Sequence, residues 1–214
     1  MYIRRHIEDK IVKSLEMFKV ILITGPRQVG KTTTLKQLFK GKYDYVTLDD
    51  INELGVAKTD PKLFFMNHSL PLIIDEVQLA PSLFTEIKRL VDESEEYGRI
   101  ILTGSQTFHL MDNVTETLAG RIGILEFSGL SLREILNDTY KNPFIPNNEY
   151  LGINRSGDNL NDIWEIIHRG SMPELYKKEN IDWQLYYASY VRTYIERDVR
   201  SLLEVRNLDL FSKF

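Results

Sequence analysis

The chain has 214 residues, of which 43% are hydrophobic and 27% charged, and its formal net charge is −4. This length and mix suit one ordinary globular domain, or one domain plus part of a second, and the net charge gives no overall attraction to nucleic acid or to anionic membranes. The chain contains no cysteine, which excludes disulfides, thiolate nucleophiles and cysteine-based metal sites. The longest apolar runs, such as 20–23 and 70–74, are much shorter than the roughly 20 residues of a membrane helix, so we expect a cytoplasmic protein with no membrane partner.

Short apolar runs alternate with helix-period segments along the first 140 residues. The chain opens with a short amphipathic segment formed by Ile7, Ile11, Val12 and Leu15. The predicted strands are 19–24, 43–48, 70–75, 99–103 and 122–127. The predicted helix faces between them are Leu35, Leu38 and Phe39, and then Leu83, Phe84, Ile87, Leu90 and Val91. Such alternation predicts an α/β fold with three αβα layers and a mostly parallel five-stranded sheet, whose ligands bind at the carboxyl ends of the strands.

The composition changes after residue 140. Residues 141–161 are rich in Pro, Asn, Gly and Ser, which predicts a long loop or linker between an α/β core at 1–140 and a helical lid or incomplete C-terminal region at 162–214. The predicted apolar face of that last region consists of Trp183, Tyr187, Val191, Tyr194, Ile195 and Leu202. The chain ends on apolar residues with no partner element after them, so we expect a truncated C-terminus; a docked terminal segment is the alternative.

Residues 25–32, GPRQVGKT, match the phosphate-binding loop pattern G-x-x-x-x-G-K-[ST]. Gly25 and Gly30 permit backbone conformations that let successive N–H groups face phosphate oxygens, and the helix that follows adds the positive end of its dipole. We expect Lys31 to reach the β- and γ-phosphates and the hydroxyl of Thr32 to bind Mg²⁺. The other predicted nucleotide contacts are Pro26, Arg27, Gln28, Val29 and Thr33. A glycine-rich turn with a solvated lysine is the alternative, disfavoured because the match follows an apolar strand and opens a helix.

The run LPLIIDE at 70–76 is an apolar strand that ends in two acidic residues. Asp75 is placed to hold the Mg²⁺ shell, usually through water, because Mg²⁺ dehydrates reluctantly. Glu76 is the candidate to orient and polarise the attacking water. Two acidic residues after a strand are also common in solvated turns, but the preceding phosphate-binding loop favours the functional interpretation.

Two further candidates follow along the chain. The strand at 99–103 runs into Ser105, and a polar side chain at this tip could sense the γ-phosphate; Thr103 and Ser105 both qualify, with Ser105 preferred and a simple turn as the alternative. Arg121 lies near a turn before the last strand. It is predicted either as an arginine finger, acting in cis or from a neighbouring subunit, or as an ordinary solvated or ion-paired residue.

Seven segments together suggest a family. They are GPRQVGKTT (25–33), LIIDEVQ (72–78), ILTGSQ (101–106), LAGRI (118–122), LSLREIL (130–136), GSMPE (170–174) and YIERDVR (194–200). With them the sequence resembles the prokaryotic AAA+-type P-loop ATPases in which an AAA domain precedes a C-terminal region of unassigned function. The resemblance implies the strand order 5-1-4-3-2, Glu76 as catalytic base and Arg121 as a site residue. Members usually continue past the end of this chain, and its GSMPE run departs from their more usual Gly-Gly start.

The predicted function is therefore Mg²⁺-dependent binding and hydrolysis of ATP, coupled to a process that the sequence does not name. The alternative is an ATP-dependent switch or scaffold that does not hydrolyse. A small-molecule kinase is disfavoured by the paired Asp75 and Glu76, by the extra strand and by the lack of a basic lid. The partners considered besides ATP are a second copy of the chain, a protein and DNA. DNA would face an arginine cluster that could equally pair with acidic neighbours, namely Arg192, Arg197, Arg200 and Arg206.

Overall fold

The computed structural model describes residues 2–105, 114, 116–138, 148, 163–177 and 181–194. The chain divides into two compact units, one of residues 1–160 with 171–173 and the other of residues 161–170 with 174–214. Nearly all of the predicted linker at 141–161 lies outside the described residues, so the predicted boundaries there stay predictions. Ile195 and Leu202 of the predicted apolar face, and Arg197, Arg200 and Arg206 of the predicted cluster, also lie outside them.

A single parallel sheet forms the centre of the first unit. Its strands are β1 (Val20–Thr24), β2 (Asp44–Thr47), β3 (Leu72–Asp75), β4 (Ile100–Thr103) and β5 (Ile122–Glu126). The five strands lie in the order β2-β3-β4-β1-β5, and all four pairings are parallel. Counted from the other edge, this is the predicted order 5-1-4-3-2. Strand β4 lies between β1, which leads to the phosphate-binding loop, and β3, which leads to the acidic pair. The predicted fold is confirmed.

Burial along the strands follows their position in the sheet. The central strands β1, β3 and β4 are buried along their whole length, as expected for parallel strands that are covered on both faces. The edge strand β5 instead alternates, with Gly123 and Leu125 buried and Ile124 and Glu126 exposed. Long apolar runs therefore mark the strands that carry the candidate site.

Helices cover both faces of this sheet. They are α1 (Glu8–Leu15), α2 (Lys31–Leu38), α3 (Ile51–Thr59), α4 (Pro61–Met66), α5 (Leu83–Asp92) and the short α6 (Leu132–Ile135). Because successive strand side chains point to opposite faces, Leu22 packs with α5 in one core and Ile21 and Ile23 pack with α1 and α2 in the other. The two cores make the three αβα layers.

One predicted helix face needs a correction. In α1, Ile11 is buried, but Val12 is 44% exposed and Ser14 takes a buried position instead. The reason is helical spacing: Ile11 and Leu15 are four residues apart and share a face, whereas Val12 is rotated by about 100° from Ile11. The face of α5 is as predicted, since Leu83, Phe84, Ile87 and Val91 are buried there.

The described residues of the second unit contain two α-helices. Its helices are α7 (Ile163–Arg169) and α8 (Trp183–Tyr194). The guanidinium of Arg169 donates to the carbonyl of Leu175 at 2.6 and 3.0 Å, and the hydroxyl of Tyr187 donates to the carbonyl of Arg169 at 3.1 Å. Val191, predicted on the apolar face, is 50% exposed. Among the described helices of the whole chain, none has the length and apolarity that a membrane crossing requires.

Candidate functional site

The loop between β1 and α2 has the backbone that its glycines predicted. Gly25 has φ 140°, and a Cβ there would lie 2.0 Å from the carbonyl oxygen of Phe127, so only glycine fits. Gly30 has φ 97° and directly precedes α2. Gln28 between them also has a positive φ of 62°, which is uncommon for a residue with a side chain. The loop is thus curved sharply in front of the first turn of a helix.

The side chain of Lys31, the first residue of α2, turns back into this loop. Its ammonium donates to the carbonyl oxygens of Gly25 at 2.9 Å and of Pro26 at 2.8 Å, and the residue is only 7% exposed. Burial lowers the pKa of Lys31, and the negative charges of Glu76 and Asp75 partly oppose that shift. This geometry contradicts the alternative of a solvated lysine. The residue is a buried cation that faces two carboxylates.

Asp75 collects hydroxyl groups at the end of β3. Its carboxylate accepts hydrogen bonds from Thr32 at 2.7 Å, from the hydroxyl of Tyr45 at 2.8 Å and from the hydroxyl of Thr103. The residue is 5% exposed. Asp75 and Thr103 are the last residues of the adjacent parallel strands β3 and β4, at the edge of the sheet that carries the phosphate-binding loop. Tyr45 lies earlier on β2, beside Ile73, and reaches the Asp75 carboxylate with its long side chain.

Glu76 follows Asp75 in a strained backbone conformation, with φ 58° and ψ 41°. The side-chain amide of Gln78 donates to the Glu76 carboxylate and to the hydroxyl of Ser105 at 3.3 Å. The other amide atom, Oε1 of Gln78, is buried and has no hydrogen-bond partner among the residues that the structure describes. Ser105 itself is 6% exposed. Gln78 therefore links the predicted base to the predicted γ-phosphate sensor.

The two sensor candidates have different partners. Thr103 is fully buried and donates to Asp75, whereas Ser105 contacts Gln78. Thr103 thus belongs with the predicted metal-binding group, and Ser105 with Glu76. Of the remaining predicted nucleotide contacts, Thr33 is exposed at the start of α2, and the side chain of Val29 is packed in the core.

Arg121 is not brought to this cluster. It directly precedes β5, whose first residue pairs with the first residue of β1, so it lies at the amino edge of the sheet. The loop follows the other end of β1, five residues or about 16 Å along the strand. The Arg121 guanidinium donates to the carboxylate of Asp92 at 2.5 and 3.1 Å. An arginine finger from this residue would have to act on a neighbouring subunit.

The oxygen atoms at this edge suit a magnesium ion. The hydroxyl of Thr32 and the carboxylate of Asp75 are hard ligands, and they lie 2.7 Å apart beside the loop. Mg²⁺ typically uses one or two such protein groups together with phosphate oxygens and water. Within the described ranges, no three His, Cys, Asp or Glu side chains come together as a separate metal site.

Two residues of the cluster were not predicted from the sequence. Tyr45 lies on the edge strand β2, whose side chains carry no motif, so no local signal identifies it. Gln78 is part of the LIIDEVQ run, but the pattern alone does not show that its amide turns back to Glu76.

Comparison with known proteins identifies the domain types along the chain. A family model described as an AAA domain matches residues 17–136, and a model of a domain of unknown function (DUF8612) matches residues 160–214. Two uncharacterized proteins, one of Mycobacterium bovis and one of Mycobacterium tuberculosis, are each 30% identical over 201 residues, which is 93% of this chain and 40% of theirs. The chain thus spans about 40% of the length of these relatives.

Two solved structures are similar at a lower level. A Walker-type ATPase of Pyrococcus abyssi has 16% identity and a TM-score of 0.44, covering 64% of this chain and 57% of that one. A structure of two coordinating Pif1 helicases at forked double-stranded DNA has 17% identity and a TM-score of 0.37, covering 64% and 47%. The fold assignment rests on the observed strand order and register, not on these two likenesses.

Proposed function

Since the chain belongs to the AAA domain family, we propose that it binds ATP together with Mg²⁺ and hydrolyses it to drive a process in a larger assembly or a longer protein. The observation that supports this best is the cluster of side chains at the carboxyl edge of the sheet. There a buried lysine, a threonine hydroxyl and two successive carboxylates meet beside a glycine-rich loop, namely Lys31, Thr32, Asp75 and Glu76.

In this proposal the loop holds the phosphates and the carboxylates act next to them. Lys31 exchanges its two carbonyl partners for β- and γ-phosphate oxygens, which are stronger acceptors for an ammonium. Thr32 and Asp75 would hold a magnesium ion, which would supply positive charge next to the phosphates. The protein contributes position and electrostatic stabilisation, with little covalent work.

Glu76 accepts a proton or a hydrogen bond from the attacking water and so orients that water toward the γ-phosphate. Its carboxylate is close enough to Lys31 for each charge to act on the other. Ser105, which reaches Glu76 through the amide of Gln78, contacts the γ-phosphate in the proposed site. A change in the γ-phosphate is thereby passed to the residue that orients the water.

The test is phosphate release from ATP by the wild type, Glu76→Gln and Lys31→Ala, with ATP binding measured in parallel. Glu76→Gln should keep ATP binding and lose hydrolysis by about 100-fold or more, because it removes the base and keeps the shape. Lys31→Ala should lose ATP binding. Glu93→Gln, an exposed carboxylate in an ion pair with Arg89, is the matched control and should hydrolyse at the wild-type rate.

Two results would contradict this assignment. Equal rates for the wild type and Glu76→Gln would remove Glu76 as the base. Unchanged ATP affinity in Lys31→Ala would argue against nucleotide binding by this loop.

A second candidate, an ATP-dependent switch or scaffold that hydrolyses negligibly, is favoured by one observation. One oxygen of the Glu76 carboxylate, Oε2, accepts a hydrogen bond from the Gln78 amide, which ties the predicted base to a neighbouring side chain. ATP binding without phosphate release in the wild type, unchanged by Glu76→Gln, would support the switch. A DNA partner stays a prediction from the arginine cluster, and a gel shift that weakens as salt is raised would support it.

A further inference from the structure

Arg5 precedes the residues that the AAA family model matches, yet its side chain reaches the phosphate-binding loop. Its Nη1 donates to the carbonyl of Val29 at 2.7 Å, and its Nη2 donates to the carbonyls of Ser128 at 2.7 Å and Gly129 at 2.9 Å. Its Nε donates to the carboxylate of Glu134 at 3.1 Å. The side chain is 5% exposed, so a guanidinium that donates from each of its three nitrogens lies buried directly behind the loop.

The bond to Val29 decides how one peptide of the loop is oriented. The peptide between Val29 and Gly30 is trans, since Leu70–Pro71 is the cis bond found among the described residues. In a planar trans peptide the C=O and N–H groups point to opposite sides. Because Arg5 holds the carbonyl of Val29, the N–H of Gly30 points away from Arg5. A phosphate is bound by N–H groups of this kind, at the start of the helix.

The same guanidinium also supports the other flank of the loop. Gly25 lies against the carbonyl of Phe127, and the N–H of Phe127 donates to the carbonyl of Thr24 at 2.7 Å. Arg5 lies over the Phe127 ring, 4.4 Å from its centroid, and bonds the two carbonyls that follow it. One side chain thus fixes the backbone next to the first glycine and next to the last.

The charge of Arg5 is compensated within the protein. The Glu134 carboxylate pairs with it and also accepts from the N–H groups of His6 at 2.7 Å and Ser131 at 2.8 Å. A buried cation with such a partner is neutralised locally, and the hydrogen bonds from its three nitrogens direct the guanidinium of Arg5 toward protein carbonyls and the Glu134 carboxylate. Arg5 therefore does not act as a phosphate ligand, and its effect on the phosphates passes through the backbone that it holds.

We propose that Arg5 is a positioning residue for the phosphate-binding loop, which keeps the Gly30 N–H directed at the β-phosphate through its bond to the Val29 carbonyl. The proposal rests on the nucleotide binding proposed above, but not on hydrolysis. It makes the segment before α1 part of the nucleotide site, although that segment lies outside the matched AAA domain.

The test compares ADP binding by the full chain in the wild type and in Arg5→Lys, well below the unfolding temperature of both. Lysine keeps the positive charge but cannot bond Val29, Ser128 and Glu134 at once, because it lacks the planar fork. We expect the dissociation constant for ADP to rise about tenfold, the effect of one misdirected hydrogen bond to a charged group. Arg4→Lys, at a neighbouring arginine whose side chain is 65% exposed, should leave it unchanged.

Thermal unfolding without nucleotide separates positioning from mere stability. A purely structural loss lowers the unfolding temperature but leaves the ADP dissociation constant of a still-folded protein unchanged. That result, in Arg5→Lys, would overturn the proposal while leaving nucleotide binding intact. If the wild type itself binds no ADP, the proposed function fails first and this proposal fails with it.

A second variant covers the case in which Arg5→Lys does not fold. Glu134→Gln keeps an acceptor for His6 and Ser131 but leaves the Arg5 charge without its counter-ion, so Arg5 is held less firmly. We expect ADP affinity to fall about threefold, within the range of one weakened hydrogen bond. Wild-type affinity in folded Glu134→Gln would overturn the proposal in that case.

Discussion

At the scale of single residues, the centre of the site is the Asp75 carboxylate with its three hydroxyl donors. Thr32 and Thr103 belong to the loop helix and to β4, while Tyr45 comes from the edge strand β2. The ammonium of Lys36 lies 3.8 Å from the centroid of the Tyr45 ring and holds the ring in place. Burial, and after it the Asp75 carboxylate, raises the pKa of Tyr45 above its usual value, which is itself well above neutral pH, so the hydroxyl is protonated and donates to Asp75.

We therefore expect Tyr45→Phe to weaken ATP binding only when Mg²⁺ is present. The change deletes one oxygen atom and frees the Asp75 carboxylate to turn away from the position that the magnesium shell needs. ATP affinity with Mg²⁺ should fall about fivefold, the effect of one lost hydrogen bond to a charged group, and ATP affinity in EDTA should stay the same. Titration calorimetry in the two buffers measures both.

Tyr43→Phe provides the matched control for this variant. The Tyr43 hydroxyl donates to the carbonyl of Gly98 at 2.6 Å, near the amino end of the sheet and away from Asp75. Tyr43→Phe should change the ATP affinity neither with Mg²⁺ nor in EDTA. An equal loss for Tyr45→Phe in EDTA would mean that Tyr45 supports the fold of the site in general and has no specific effect on the metal.

At the scale of elements, the short helix α6 ties the end of the sheet to the N-terminal segment. Ser131 and Glu134 form a capping box, in which each side chain bonds the backbone of the other residue. Burial by itself raises the pKa of Glu134, but hydrogen bonds from the backbone of Ser131 and His6 and the charge of Arg5 outweigh it, and the net pKa is lowered. The ionised carboxylate is thus the form that stabilises this junction.

The direction of that shift predicts a pH dependence of stability. A carboxyl group whose pKa is lower in the folded state stabilises the protein fully above its usual value of 4.5, and the contribution is lost as the pH falls through the folded-state value. Glu134→Gln should lower the free energy of unfolding by about 3 kcal/mol at pH 7, because it leaves the buried Arg5 unpaired. The difference from the wild type should shrink below pH 4.5.

Urea unfolding of both proteins across this pH range makes the measurement. Glu95→Gln, at a carboxylate whose side chain is 98% exposed, is the control and should unfold like the wild type at every pH. If the difference in free energy of unfolding between Glu134→Gln and the wild type stays constant as the pH falls, ionisation of Glu134 does not cause that difference.

At the scale of the whole molecule, the residues proposed for ATP hydrolysis lie at two opposite edges of the sheet. The cluster at the carboxyl edge contains candidates for phosphate, metal and water, but Arg121 lies at the amino edge in an exposed pair with Asp92. An exposed pair of this kind contributes little to stability. Arg121 could therefore leave Asp92 and contact the phosphate of ATP bound to another subunit at a small cost in stability.

If Arg121 acts in trans, hydrolysis per subunit should rise with protein concentration. Phosphate release by the wild type, measured over a range of concentrations, should increase steeply as subunits associate, because an arginine finger accelerates transfer by about 1,000-fold or more. Arg121→Ala should remain at the low rate throughout. Arg89→Ala, which removes another exposed and ion-paired arginine, should behave like the wild type.

A rate per subunit that does not change with concentration in the wild type would contradict the trans role. Arg121 would then be what its contacts in one chain indicate, an arginine that pairs with Asp92 on the surface.

The sequence by itself determined the features that depend on neighbouring residues along the chain. Apolar runs of strand length, the helical spacing in α5 and the glycines of the loop are local patterns, because strand burial, helix periodicity and positive φ each act over a few residues. These patterns predicted the five strands and the phosphate-binding loop, and the family resemblance predicted the strand order.

The tertiary structure decided which distant side chains meet. It brought Tyr45 of an edge strand to Asp75 and placed Arg121 at the edge of the sheet opposite the site. It also placed Arg5 against the loop and against Glu134, which is 129 residues away along the chain. No local pattern encodes such contacts, since each depends on strand order and on which helix covers which face. The loop is readable from its own residues, but what holds it in shape is visible only in the fold.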